Sequence, residues 1–366
     1  MQHIIPKRVT TLELFYDLVF VYAIARISHM LQHLHHGQID WLTYLQFVGV
    51  CIIIMQIWLY QTVYINKYGE NRPIDMIGLF VSMFGAIYVS NSINTEWHLT
   101  FYSFNLFMAL MSGSAAFQYY RASQRLGKAG REARQFFYIL LFETLMTLFG
   151  LALGYAIGLW IVLLGFMIAP IFPALFQKWH LEETMNFPHL VERVGLITII
   201  IFGEFIVTLT QFFDTTHLSW LPLVLFSAVV CLFLSYTIQT EQLMEHHQYT
   251  NGFILMYSHV FILIGLETAM NAVAYGLVVD INTDFMARFL IIGLAFFYLA
   301  LWSLSFYNKT SHRLTRHHYI VAGSIFIATA CALWFTRQTL WAFYASFFLS
   351  SVAMVSYLAH LKKLNK

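Results

Sequence analysis

Thr11-Leu12-Glu13-Leu14-Phe15-Tyr16-Asp17-Leu18-Val19-Phe20-Val21 opens an apolar run that continues to about residue 33 and carries two acids near its start. A helix needs about 20 mostly apolar residues to cross a bilayer, so a run of this length reads as a membrane span. No small-residue cleavage site follows it, and acids sit inside it, so it reads as a retained span and not as a signal peptide. Working outward, eleven more runs follow, at 41–65, 74–93, 98–121, 133–152, 154–177, 190–213, 218–241, 252–279, 284–307, 317–336 and 338–361. The fifth and sixth are separated only by a tight turn near Gly150–Gly154. The runs are too long and too uniformly apolar for barrel strands.

Composition agrees. Of 366 residues, 59% are hydrophobic and 10% charged, against about 25% charged in an ordinary soluble domain. Such a chain cannot cover a water-facing surface, which excludes a soluble enzyme, a disordered tail and a nucleic-acid binder. Cys51, Cys231 and Cys331 each lie in an apolar run, which excludes a disulfide scaffold. The predicted fold is an all-α integral membrane protein of about twelve transmembrane helices.

With twelve spans, all but four of the 20 Lys and Arg fall on one side of the membrane; the exceptions are Arg26, Arg193, Arg288 and Arg337. The positive-inside rule then places both termini in the cytoplasm. The halves also echo each other. Tyr119-Tyr120-Arg121-Ala122-Ser123-Gln124-Arg125-Leu126 closes span four, and Tyr307-Asn308-Lys309-Thr310-Ser311-His312-Arg313-Leu314 closes span ten. Two parallel six-helix repeats, 1–183 and 184–366, are expected, as in transporters built from two six-helix halves.

Polar residues inside the spans are the candidate site, because a charge at the bilayer centre costs about 2.5–3.5 kcal/mol on insertion scales. Glu13 and Asp17 are i,i+4 on one face of span one, although Glu13 alone would also suit a helix start. In span seven, Arg193, Glu204 and Gln211 fall within about 20° of one another at 100° per residue, with His189 on the same side. A stripe like this faces other helices or a water-filled cavity, not lipid. Arg193 and Asp17 lie at similar depths, so Asp17 is the expected partner of Arg193. Span nine carries His259, Glu267 and Asn271, the last two i,i+4, an acid and an amide suited to holding a proton. Glu143 with Thr147 in span five reads the same way, more weakly. Arg26 reads as an interfacial charge. His29, His33, His36 and Asp40 read first as residues of a short outer loop, and second as zinc or copper ligands if the helix continues past Gly37. Gly150, Gly154 and Gly158 mark a close-packed helix face. No phosphate-binding glycine loop, metalloprotease motif or nucleophile elbow is present, so no cofactor is implied.

The opening of span one resembles the first signature of the bacterial low temperature requirement A (LtrA) family. His189-Leu190-Val191-Glu192-Arg193 followed by Phe202-Gly203-Glu204 resembles its second, usually written Leu-Gly-Glu. Tyr257-Ser258-His259 with Gly265 resembles a third. The resemblance implies a multi-pass protein of the bacterial inner membrane, linked by name to growth in the cold, and carries no established substrate or reaction.

The leading expectation is a secondary carrier of a small solute driven by protonation of buried acids, with Glu204 and Asp17 as proton or ion sites, Arg193 as counter-ion or anion contact, and Glu267 and His259 lining the second-half cavity; Glu13 and Asn271 join them as candidates for binding an ion, a proton or the substrate. No ATP-binding module is present. The alternatives are a membrane-embedded enzyme acting on a lipid or isoprenoid, and a non-transporting scaffold or sensor. The expected partners are the bilayer, a small solute and a coupling proton.

Overall fold

The computed structural model describes residues 5–93, 97–175, 185–214 and 216–364. They form twelve α-helices: α1 (Thr11–Ser28), α2 (Trp41–Tyr68), α3 (Pro73–Asn91), α4 (Trp97–Leu126), α5 (Arg131–Leu153), α6 (Tyr155–Leu175), α7 (Phe187–Leu209), α8 (Leu221–Thr237), α9 (Phe253–Ala274), α10 (Thr283–Ser303), α11 (Arg316–Thr336) and α12 (Leu340–Leu364). No strand occurs among the described residues, and each predicted run contains one helix. Among the described residues, nine helices are long and apolar enough to cross a membrane. In α7, Glu192, Arg193 and Glu204 put three charges into every stretch of 18 residues, which keeps it outside that count.

Helix starts follow from local chemistry. Thr10 caps α1: its hydroxyl accepts the Glu13 N–H at 3.3 Å while the Thr10 N–H donates to Glu13 Oε1 at 3.2 Å, a reciprocal capping box. Pro73 occupies the first turn of α3, where no N–H is needed. There Asp75 Oδ2 accepts the N–H groups of Arg72 (3.0 Å) and Glu70 (2.9 Å). Gly154 separates α5 from α6 with φ +77°, a conformation that a side chain resists. The predicted tight turn is this residue.

Two compact units emerge. The first takes residues 1–30, 42–197 and 247–253, and the second takes 31–41, 198–246 and 254–366. The boundary expected at 183/184 lies outside the described residues. In the first unit, α5 and α6 touch backbone to backbone. A Cβ on Gly150 would lie 2.8 Å from the Gly158 carbonyl oxygen, and one on Gly158 would overlap the Gly150 carbonyl. In the second unit, α9 and α10 do the same: a Cβ on Gly265 would lie 2.6 Å from Phe297 N, and one on Gly293 2.6 Å from Ala269 N. Between apolar helices in lipid, such close approach replaces the hydrophobic drive.

The paired motifs differ in conformation. Residues 119–126 are helical throughout, whereas 307–314 lie beyond α10, in short 3₁₀ turns and loop.

Gly158→Ala should destabilise the protein by about 1–3 kcal/mol, because α5 and α6 must separate to admit a methyl group. Gly323→Ala in α11 meets open space and should be neutral or stabilising. Equilibrium unfolding in mixed micelles checks both; equal effects would discount the crossing.

Candidate functional site

Arg193 lies six residues into α7 and Asp17 six residues into α1, about 9 Å of helix in each case. Both side chains are 0% exposed. Arg193 Nε donates to Asp17 Oδ2 at 2.8 Å and Nη2 to Oδ1 at 2.5 Å, a two-pronged fork. Nη1 donates to Glu13 Oε2 at 2.9 Å. Trp58 of α2 donates its indole N–H to Asp17 Oδ1 at 2.7 Å. The guanidinium carbon stands 5.5 Å from the Trp58 ring and 5.8 Å from the Tyr16 ring, so aromatic faces cover the cation. Glu13 thus serves twice, with Oε1 in the α1 cap and Oε2 on Arg193.

His189, one turn before Arg193, completes the set. Its Nε2 lies 3.0 Å from Glu13 Oε2, off a straight hydrogen-bond line. Its Nδ1 faces Asn66 Nδ2 at 3.0 Å. The Asn66 amide is fixed in orientation, because Oδ1 accepts the Asn186 N–H and Nδ2 donates to the Asn186 carbonyl, each at 2.9 Å. Asn66 therefore donates to Nδ1, which must carry a lone pair. Nε2 is then the ring nitrogen that faces the Glu13 carboxylate. The set thus joins two carboxylates, one guanidinium and one imidazole. Outside the spans, Lys7 senses Glu13 and donates to the carbonyls of Ile65 (2.5 Å) and Gly69 (2.9 Å) at the end of α2. Burial weakens its ammonium, holding the pKa below the usual lysine range.

Glu143 is fully buried in α5. Gln56 donates to its Oε2 at 2.7 Å, and Oε1 has no partner among the described residues. Thr147 donates to the Glu143 carbonyl, within the helix.

The remaining candidates belong to the second unit. Glu204 is half-buried, with no hydrogen bond or ion pair among the described residues. His259 is fully buried and saturated: Nδ1 donates to the Leu255 carbonyl at 2.7 Å, so Nε2 accepts the Tyr236 hydroxyl at 2.9 Å. Glu267 is fully buried, and Asn271 donates to its backbone carbonyl at 2.9 Å. The structure thus gathers Glu13, Asp17 and Arg193 into one cluster within the first unit. Arg26 is exposed and reaches Asn91. The His29–His36 segment does not continue the helix. α1 ends at Ser28, a 3₁₀ turn runs to Gln32, and His36 and Gly37 have φ +52° and +69°, so no single face carries the histidines.

Trp58 and Asn66 escaped the sequence reading. The available signal was the polar series Gln56, Gln61, Thr62 and Asn66 inside an otherwise apolar α2, all buried.

The first unit also holds an apolar pocket of about 330 Å³ among the starts of α2, α4 and α6 and the end of α3. Asn105 Oδ1 and Trp97 Nε1, on two of its lining residues, lack partners among the described residues. A Cβ on Gly49, which also lines it, would meet nothing within 4 Å.

Asp17→Leu or Arg193→Leu alone should each destabilise by about 3–5 kcal/mol, because a buried charge loses its partner. The double Leu variant should fold better than either, and it should lack activity. Thermal unfolding reads the first effect, and a fully active double variant would leave the pair a packing role only.

A search of the curated proteins gives no match, and a search of the solved structures gives none. The family model described as bacterial low temperature requirement A protein (LtrA) matches residues 8–356, nearly the whole chain. With its acid-bearing first helix and Arg193-bearing seventh, the chain belongs to the bacterial low temperature requirement A protein family.

Proposed function

We propose that this protein is a proton- or ion-coupled secondary transporter of a small solute. The observation that carries this reading is the charge count at Arg193. Two carboxylates meet one guanidinium, so this cluster holds one acid more than the arginine it binds. A buried net charge is expensive. A proton or cation arriving at Glu13 and Asp17 balances it, which is the property a coupling site needs. Lys7 offers a rival, titratable positive charge at the same end. The reading includes twelve spans in two six-helix halves, 1–183 and 184–366, and alternating access around them. It also places the protein in the bacterial inner membrane with both termini cytoplasmic, from the distribution of Lys and Arg. The tie to growth at low temperature comes with the family name. Glu204, Glu267, His259 and Asn271 take the part of second-half residues that line the path.

The protein is reconstituted into vesicles loaded with a pH-sensitive dye. Sugars, amino acids and organic anions are added one class at a time, with and without an imposed proton gradient. One class should trigger proton movement, and Asp17→Asn should abolish it. If no class moves protons, and radiolabelled solutes enter no faster with the gradient, the reading fails.

The apolar pocket favours a second reading, action on a lipid or isoprenoid. Its lining is hydrocarbon apart from a few uncharged polar groups, and such sites suit an amphiphile. Gly49→Phe fills the space without a clash at Cβ. Under this reading it should abolish activity while leaving the melting temperature within about 1 °C, the shift expected for about 1 kcal/mol in a chain this long. Unchanged activity would remove the pocket from the function.

A further inference from the structure

A second cavity, of about 410 Å³, lies where α2 ends, α3 begins and α4 ends, with Tyr64, Arg72, Arg121, Gln124 and Arg125 among its lining residues. Three guanidinium groups around one cavity repel one another, so their placement needs anions. Glu70 supplies one, paired with Arg72 and 3.2 Å from Arg125. Arg125 is further engaged by donating to the Tyr68 carbonyl at 3.0 Å, which caps the last turn of α2. The Tyr64 hydroxyl is spent on Asp75 at 2.8 Å. Arg121, one turn before Arg125 on the same face of α4, has no hydrogen bond or ion pair among the described residues. The cavity therefore sets three positive charges against two negative ones, Glu70 and, behind Tyr64, Asp75, and the Arg121 fork has no hydrogen bond or ion pair among the described residues.

Every cation lining the cavity is an arginine. A planar fork matches two oxygens of a phosphate, which a point-charge ammonium does not. The cavity also sits at the ends of three helices, two of which, α2 and α3, are long and apolar enough to cross a membrane, and span ends lie at the depth of lipid headgroups. Basic pockets between span ends are suited to anionic headgroups.

We infer that Arg72, Arg121 and Arg125 form a binding site for a phosphate-bearing anion, with Arg121 as the fork dedicated to the ligand. This also gives a use to the Tyr-x-Arg-x-Ser-x-Arg-Leu motif that closes span four. Arg125 holds the end of α2 and Arg121 holds the anion.

The protein is placed in nanodiscs of phosphatidylcholine, alone or with one tenth phosphatidylglycerol. A third sample in phosphatidylcholine receives millimolar inorganic phosphate. Thermal unfolding and native mass spectrometry read binding. An anion should raise the melting temperature and remain on the released protein. Arg121→Gln should reduce retention about tenfold, and Arg121→Lys should restore part of it. Because Arg121 has no hydrogen bond or ion pair among the described residues, Arg121→Gln should leave the melting temperature in pure phosphatidylcholine unchanged. Stabilisation by phosphatidylglycerol and not by inorganic phosphate assigns the site to a lipid headgroup, and the reverse assigns it to a soluble phosphate. Stabilisation by neither, or equal retention by Arg121→Gln, overturns the inference. So does a fall in melting temperature in pure phosphatidylcholine for both Arg121→Gln and Arg121→Lys, which would mark Arg121 as structural.

Discussion

A guanidinium keeps its proton in any protein environment, so once Arg193 is placed inside the bundle, everything near it must answer its charge. Asp17 does so through a two-pronged fork, Glu13 through a third bond, and Trp58 and Tyr16 through their ring faces. These demands fix the rotation of α1 about its axis, its register against α7, and the face that α2 presents. The same packing could be achieved with hydrocarbon at no loss of stability, since a buried ion pair gains little over well-packed apolar side chains. What hydrocarbon cannot supply is a pair of buried carboxylates held around one guanidinium.

Much of this was legible in the sequence. Helix positions followed from apolar run lengths, and the break between α5 and α6 from the glycines around Gly154. Lipid offers no alternative partners to backbone groups, so the period and length of each span declare themselves. The meeting of Asp17 with Arg193 followed from depth alone, since both sit a similar distance along their helices. What failed to show was anything set by a third helix. Asn66 and Trp58 owe their roles to how α2 lies against α1 and α7, and no spacing within α2 encodes that.

Other readings met local chemistry that spacing does not reveal. His29, His33 and His36 have helical intervals, but the chain leaves the helix at Ser28 and turns through positive φ at His36 and Gly37. His259, expected to line the second half, has both ring nitrogens engaged, by the Leu255 carbonyl and the Tyr236 hydroxyl. Asn271 spends its amide on the carbonyl one turn back, the local bond that short polar side chains readily make inside helices.

The double engagement of Glu13 has a mechanical consequence. One oxygen fastens the first turn of α1 to Thr10, and the other is part of the charge set around Arg193. A proton landing on this carboxyl is therefore felt in two places at once: the grip on the guanidinium slackens, and the reciprocal latch at the helix start loses its charge-assisted half. Just upstream, Lys7 is moored to the carbonyls of Ile65 and Gly69. The strand of chain between Lys7 and Thr10 is thus a short tether between the end of one span and the beginning of another. Glu13 therefore joins the start of α1 to the charge set around Arg193, while Lys7, three residues before Thr10, joins the same segment to the end of α2.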